Sequence, residues 1–319
     1  MTDTTTTNEP GANQAAAVPA VPVAVLDDVK KKSGLGVMGW VSAGWLILIV
    51  GAAALADILP LNDPAAEVAD KRLAPFQPGG PILGADANGR DLLARTIYGA
   101  RTSLIIAFCA VMIGFIIGGF LGLLAGYFRN WAGNALVSVF DILLAIPQLV
   151  LALSLVSVLK GSPEPVEPGQ AEPFKLPVTL ILIIALGIVS IPLLARITRA
   201  STLTWSQREF VMAARAQGAT HGRILFREVL PNVLPAMVSI ALLGMAIAIV
   251  AEGGLAILGA SVDPPQATWG TMIATGQSEL QQAPFIVWIP IFAVFATAAS
   301  LNYLGDVMRD RFDVRESAL

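Results

Sequence analysis

Six long apolar stretches constrain the fold of this chain more than any other feature. They lie at about residues 38–59, 104–128, 135–159, 176–195, 233–259 and 284–307. A helix needs about 20 apolar residues to cross the hydrocarbon core of a bilayer, and each stretch meets that length. Because only 13% of the residues are charged, against roughly 25% in a soluble domain, the chain cannot cover itself with polar surface. The sequence predicts an all-α polytopic membrane protein with about six transmembrane helices.

The first apolar stretch could be a retained span or a cleaved signal. Lys30–Lys32, the apolar run and Ala54-Leu55-Ala56 together imitate a secretory signal. The run is longer than the roughly 7–15 residues of a signal core, and five more spans follow. We therefore expect residues 38–59 to be a retained first transmembrane helix, preceded by a disordered cytoplasmic tail at 1–37.

Polar segments separate the apolar stretches. Residues 60–100 are predicted to be an extracytoplasmic loop that ends in an interfacial helix, which begins near Gly89-Arg90-Asp91. Residues 161–175 are rich in proline and acidic residues, which predicts an extended loop. Residues 101–307 would form the membrane core, which contains a basic loop at 196–232.

The distribution of Lys and Arg predicts the orientation. Lys30–Lys32, the loop 196–232 and the tail 308–319 are rich in basic residues, and basic segments stay on the cytoplasmic side. Residues 60–100 and 161–175 then lie outside. Both termini are therefore expected in the cytoplasm of a multi-pass protein of the bacterial plasma membrane.

Glycines recur at every fourth position of the second apolar stretch, at Gly114, Gly118, Gly122 and Gly126. This spacing places them on one helix face, where small residues let a second backbone come close in lipid. The ridge is predicted to pack within the bundle, and the alternative is that it lines a substrate path.

Two acidic residues, Asp141 and Glu252, fall inside apolar stretches. Ionisable groups in spans usually face the protein interior and often carry a proton or ion. Structural pairing is the favoured interpretation. The alternative is a proton-coupled secondary transporter, but such a protein often contains an internal repeat, and none is visible.

The loop 196–232 has the pattern of a helical hairpin. Ser206 and Glu209 form a Ser-x-x-Glu capping box that predicts a helix start. Gly218 suits the left-handed residue that ends a helix, and Thr220 can cap a second short helix that includes Ile224, Leu225 and Phe226. Pro231 and Pro235 would bracket the entry to the fifth span. Such a protrusion suits docking on another protein, and an interfacial helix on anionic lipid is equally compatible.

The hairpin residues carry a resemblance to a known family. Met212-Ala213-Ala214, Gly218 and Leu230-Pro231 resemble the Glu-Ala-Ala…Gly…Ile-x-Leu-Pro loop of binding-protein-dependent ABC importer permeases. Met212 stands where the family has Glu, and Glu228 stands at the Ile position. In that family the loop forms coupling helices that sit in a groove of the ATPase subunit. The residues carried over to this role are Glu209, Met212, Ala213, Ala214, Arg215, Gly218, Leu230 and Pro231.

Further motifs resemble the C-type subunit of the oligopeptide, dipeptide and nickel branch. They are Gly84–Arg101, Asp141 with Ile146-Pro147, Glu252 with Thr268-Trp269-Gly270, Asn302–Asp310 and Asp313-Val314-Arg315. The resemblance implies an ABC type I importer permease fold that moves peptides inward by alternating access, with nickel or another small solute as the alternative cargo. It also implies a homologous B-type permease, two ATPase subunits and an extracytoplasmic binding protein as partners.

Other chemistries find little support in the sequence. There is no Gly-x4-Gly-Lys-[Ser/Thr] motif, so ATP would be bound by partner subunits and no cofactor is expected in this chain. One cysteine and one histidine are too few for a Cys/His metal cluster, and no enzyme activity is expected. Asp86-x-Asn88-Gly89-x-Asp91 hints at a calcium loop, but Ile97 replaces the required Glu, so a helix start is favoured. The net charge of −3 gives no indication of nucleic-acid binding.

Overall fold

The structure of the chain is a computed structural model that describes Thr2, residues 36–161 and residues 176–316. Most of the predicted N-terminal tail and of the loop 161–175, with the last three residues, lies outside the described residues. The described residues form nine helices: α1 (Gly36–Ala54), α2 (Leu92–Tyr127), α3 (Trp131–Ala145), α4 (Gln148–Lys160), α5 (Val178–Trp205), α6 (Glu209–Ala216), α7 (His221–Ile257), α8 (Trp269–Gly276) and α9 (Phe285–Glu316).

Five of these helices, α1, α2, α5, α7 and α9, are long and apolar enough to cross a membrane. The pair α3 and α4 is equally apolar and makes a sixth span if the two are counted together, although they are bent by 92°. The prediction of an all-α polytopic protein with about six transmembrane helices is confirmed.

The third predicted span, 135–159, is not one straight helix. It breaks at Ile146-Pro147, where Ile146 has φ −80° and ψ 131° and α4 restarts at Gln148. A proline disfavours helical backbone at the residue before it and removes a hydrogen-bond donor, which explains the bend. The apolar count alone did not reveal this break.

Two helices extend beyond their predicted bounds. The helix predicted as interfacial is continuous with the second span: α2 begins at Leu92, and Asp91 caps it by accepting bonds from the N–H groups of Leu93 and Ala94 at 2.8 and 3.3 Å. Likewise α5 continues through 196–205, which were predicted as loop. The predicted span ended where the arginines begin. An arginine does not interrupt a helix at that point, because its long side chain can carry the charge away from lipid.

The second helix of the hairpin is not short. It forms the start of α7, which runs without interruption from His221 to Ile257. Pro231 and Pro235, predicted to bracket its entry, lie inside it, and a π-helical turn at Ile224–Val229 ends one residue before Leu230-Pro231. The wider turn precedes the missing N–H of the proline, and the helix continues through it rather than ending.

The core of the bundle is formed by α2, α5, α7 and α9. Trp269, at the start of α8, is fully buried and donates its indole N–H to the carbonyl oxygen of Thr96 on α2 at 2.9 Å. The first helix packs at the side, where the Trp45 indole donates to the Thr297 hydroxyl at 3.0 Å and contacts Phe292 edge-on. This packing is consistent with a retained first helix.

The bundle has two ends. We call the end that carries residues 205–223 the hairpin end, and the end that carries residues 55–91 and 258–284 the loop end. At the loop end, Arg72 donates two hydrogen bonds to Glu279 and holds the pKa of that carboxyl below its usual range. Asp86, from the calcium-like motif, instead accepts from the backbone of Asn88 and pairs with Arg90 at 2.9 Å. Its oxygens are therefore used in the loop itself.

Candidate functional site

The short helix α6 has one buried face and one exposed face. Val211 is fully buried, while Glu209, Met212, Ala213 and Arg215 are exposed and Ala214 is partly buried. Burying a side chain of this size contributes about 1.5–3 kcal/mol, so Val211 holds α6 against the bundle. The exposed face presents a surface that the described residues leave uncovered.

A glycine corner ends α6 as the sequence predicted. Gly218 has φ +81°, its N–H donates to the Arg215 carbonyl, and the N–H of Ala219 donates to the Ala214 carbonyl, each at 3.0 Å. These two bonds are those of a Schellman motif. Among the described residues, no atom lies within 4 Å of the position a Cβ at Gly218 would take, so glycine is needed for the backbone conformation and not for space.

The predicted capping interactions are only partly present. Thr220 does cap α7, since its hydroxyl accepts from the N–H of Arg223 at 3.4 Å. The capping box at Ser206 is wrong: Ser206 donates its hydroxyl to the Leu203 carbonyl at the end of α5, and Arg208 precedes α6 without a side-chain cap. Because α5 runs to Trp205, Ser206 belongs to the end of that helix. Glu209 occupies the first turn of α6, where a negative charge favours the helix dipole.

The hairpin is tied to the end of α2 through Tyr127. Its hydroxyl lies 3.0 Å from Nδ1 of His221, and the guanidinium of Arg215 lies over its ring at 5.4 Å. His221 also contacts Phe128. Tyr127 was not predicted as a functional residue, because it is 94 positions from His221 and no local pattern joins them.

An apolar cluster fixes the hairpin to the bundle below it. The buried members come from α2, α6 and α7: Leu123, Tyr127, Val211, Ile224, Leu225, Val229, Val233 and Met237. Leu230 packs against the cluster, while Pro231 is exposed. The hairpin is therefore one body with the ends of α2 and α7, and it can transmit a displacement to both helices.

The uncovered surface of the hairpin combines apolar and basic side chains. Phe210, Met212 and Phe226 are 39%, 54% and 51% exposed, and Arg208, Arg215, Arg223 and Arg227 are exposed around them. Exposed aromatic and methionine side chains beside arginines are typical of protein interfaces. We call this the hairpin surface.

The glycine ridge of α2 faces α5 along its length. A Cβ at Gly118 would lie 2.5 Å from the Ile191 carbonyl oxygen, and one at Gly126 would lie 2.7 Å from Cβ of Thr202. Gly114 and Gly122 face Ser190 and Ala195 in the same way, too closely for any side chain. The geometry supports packing within the bundle.

Glu252 is fully buried at the loop end of α7. Its Oε1 accepts from the hydroxyls of Ser261 and Thr268 at 2.7 Å each, and its Oε2 lies 3.4 Å from the hydroxyl of Ser103 on α2. The Ser103 hydroxyl in turn accepts from the N–H of Trp269. This carboxyl joins α2, α7 and the start of α8, which agrees with a structural role.

Asp141 differs from Glu252 because its side chain is exposed. It lies on α3 beside a small cavity that Arg196 and Arg199 of α5 also line. Asp141 and Glu252 therefore lie in separate places and do not form one site.

The chain belongs to the family described as the binding-protein-dependent transport system inner membrane component, which matches residues 118–317. Among its relatives is the di/tripeptide transport system permease protein DppC of Pseudomonas aeruginosa, 36% identical over 84% of this chain and 85% of that protein. The glutathione transport system permease protein GsiD of Pectobacterium atrosepticum is 35% identical over 72% of this chain and 71% of its own.

The solved structures give the same fold. An inward-facing MetNI methionine ABC transporter matches 69% of this chain and 95% of its own with a TM-score of 0.53, at 18% identity. At that identity the similarity shows the fold alone. With the family match, it confirms the fold of an ABC importer permease.

Proposed function

We propose that this chain is the C-type permease subunit of an ABC importer that carries di- and oligopeptides into a bacterial cell. One observation carries the proposal: the family match covers the helices that hold the hairpin surface, and peptide permeases are similar over most of the chain. The hairpin surface has the composition of a docking element, with exposed aromatic and methionine side chains beside arginines. Glutathione transport by one relative is compatible with the same cargo class, since glutathione is a short peptide.

The energy comes from separate subunits. The sequence contains no phosphate-binding loop, so two ATPase subunits bind and hydrolyse ATP. One of them receives the hairpin surface, with Phe210, Met212 and Phe226 in its groove and the arginines at the rim. When the ATPases close, the hairpin moves, and the ends of α2 and α7 move with it.

The remaining partners complete the path. A homologous B-type permease shares the central cavity, and a binding protein on the outside delivers the peptide to the loop end. This places the hairpin end and both termini in the cytoplasm, as the basic residues of the hairpin favour.

The test is transport by the assembled complex. The chain, purified with its B-type permease and ATPases, is placed in liposomes with the binding protein on the delivery side, and uptake of a radiolabelled dipeptide is measured with ATP or a non-hydrolysable analogue. We expect uptake with ATP and none with the analogue. We also expect a cross-link from Ala213→Cys to an ATPase subunit. Uptake of nickel and not of peptide would show that the cargo is nickel. Uptake by this chain alone under a proton gradient would make it a secondary transporter.

A further inference from the structure

A small charged cavity lies between α2, α3 and α5, toward the hairpin end of the bundle. Its volume is about 190 Å³. Its apolar wall consists of Gly122, Ala125, Val137, Phe140 and Ala195, and its charged groups are Asp141 from α3 and Arg196 and Arg199 from α5. The cavity thus has a negative wall and a positive wall.

The two arginines lie toward the hairpin end of α5, since Arg196 and Arg199 are nine and six residues before its end at Trp205. Asp141 is ten residues from the start of α3, which is about 15 Å along the helix at 1.5 Å per residue. Both Asp141 and Arg196 are exposed in the chain. An ionised group is costly against lipid, so this side of the bundle faces water or protein.

The charged groups leave bonding capacity unused. Among the ion pairs of the described residues, none joins Asp141 to Arg196 or Arg199 within 4.0 Å. The buried Nε of Arg199 has no hydrogen-bond partner in the described part of the chain. A buried donor without a partner is costly, which points to a group that the chain itself does not supply.

We infer that this cavity is a contact site for the transported peptide in its zwitterionic form, an inference that rests on the proposed function. Arg196 and Arg199 bind the terminal carboxylate, because a guanidinium fork matches a carboxylate with two hydrogen bonds. Asp141 binds the terminal ammonium. A dipeptide spans about 7 Å at most, so both of its ends can engage a gap wider than a direct ion pair.

The size of the cavity limits the cargo it can hold. Ligand pockets are typically about 300–1,000 Å³, and this cavity is smaller. It therefore takes a dipeptide or a similarly small zwitterion, and a longer peptide would engage only one wall. The site selects by end charges rather than by side chains, as suits a carrier of many sequences.

The first experiment measures occupancy. Because Cys109 is the single cysteine of the chain, Cys109→Ala gives a clean background. Val137→Cys, on the cavity wall, and Ser138→Cys, its exposed neighbour outside the wall, are labelled with a charged thiol reagent in the full complex in nanodiscs during ATP turnover. We expect excess Ala-Ala to slow the labelling of Val137→Cys and to leave Ser138→Cys unchanged. Equal labelling with and without peptide at both positions would overturn the inference.

The second experiment separates the two walls. Asp141→Asn should reduce ATP-dependent Ala-Ala uptake about tenfold, as for loss of one charge-assisted hydrogen bond, and should abolish the protection of Val137→Cys. Asp141→Glu, which keeps the charge, should lose less of both than Asp141→Asn, and co-purification of the ATPases reports whether each variant assembles. Arg199→Gln should act on the other wall to the same extent. Full uptake and full protection in both neutral variants would overturn the inference.

The two proposals fail in different ways. If the unmodified complex takes up no peptide with ATP, the proposed function fails and this site fails with it. If uptake is normal but the dipeptide gives no protection at Val137→Cys, only the cavity assignment fails.

Discussion

Gly218 is the residue on which the shape of the hairpin depends most. At its φ of +81°, a residue with a side chain is strained by about 1–2 kcal/mol, and a β-branched residue is strained by more. We predict that Gly218→Val leaves the membrane bundle folded but misplaces α6, so that the ATPases co-purify in lower yield and transport is lost. The measurement is the ATPase-to-permease ratio on size exclusion, together with uptake.

Two control variants make this test specific. Gly218→Asn should retain most activity, because asparagine tolerates the left-handed conformation. Gly222→Ala lies in the first turn of α7, has no atom within 4 Å of its Cβ position and should be close to neutral. If Gly218→Val couples normally, the corner is not needed for docking.

Arg72 and Glu279 allow a prediction about pH. Arg72 lowers the pKa of Glu279 in the folded protein, so this pair contributes stability above the unfolded pKa of about 4.3 and loses it as pH falls through the folded pKa. The melting temperature of Arg72→Gln should therefore lie below that of the unmodified chain at pH 7, and the gap should close as the pH falls below about 4. If the difference in melting temperature is the same at every pH, the stability lost in Arg72→Gln does not come from the charge pair.

At the scale of the element, the contact of α2 with α5 depends on the glycine ridge. We predict that Gly118→Leu or Gly122→Leu forces the two backbones apart, since the Ile191 and Ala195 carbonyl oxygens lie where the new side chain would begin. The complex should then assemble poorly, as seen by the yield of intact complex. Gly44→Leu on α1, where nothing lies within 4 Å, is the matched control. Normal assembly with changed cargo preference would instead make the ridge a path lining.

The link between hairpin and α2 gives a second prediction at this scale. Tyr127→Phe removes the bond to His221, which contributes about 0.5–1.5 kcal/mol, and keeps the ring under Arg215. We expect assembly to be unchanged and the peptide transported per ATP hydrolysed to fall. Tyr98→Phe makes the same change at the loop end, where the hydroxyl contacts Asp57, and should leave this ratio unchanged. Equal ratios in both variants would exclude Tyr127 from coupling.

The helices were predictable to the extent that local pattern determines them. Apolar length identified the spans, and the Gly218 corner followed from its residue type, because the left-handed conformation is a local property. The 92° bend at Pro147 and the continuity of α7 through Pro231 were missed. A proline can break a helix or bend it, and the packing around it, which is absent from the sequence, decides between the two. Tyr127 and the bonds of Glu252 were invisible for the same reason.

For the whole molecule, α7 is a rod that joins the two ends. Its 37 residues span about 55 Å at 1.5 Å per residue. One end is packed under the hairpin by Ile224 and Val229, and the other is joined to α2 and α8 through Glu252. Under the proposed function, a displacement of the hairpin by an ATPase would therefore reach the loop end as movement of a packed element, as alternating access requires.

The orientation of this rod is the last prediction. Because the arginines of the hairpin favour the inner side, the hairpin end should be cytoplasmic and the loop end extracytoplasmic. Gln217→Cys and Ser278→Cys are exposed positions at the two ends and can be placed singly on the Cys109→Ala background. In intact cells an impermeant thiol reagent should label Ser278→Cys at once and Gln217→Cys only after permeabilisation. The reverse pattern would show the opposite orientation, in which the hairpin surface is out of reach of any cytoplasmic ATPase.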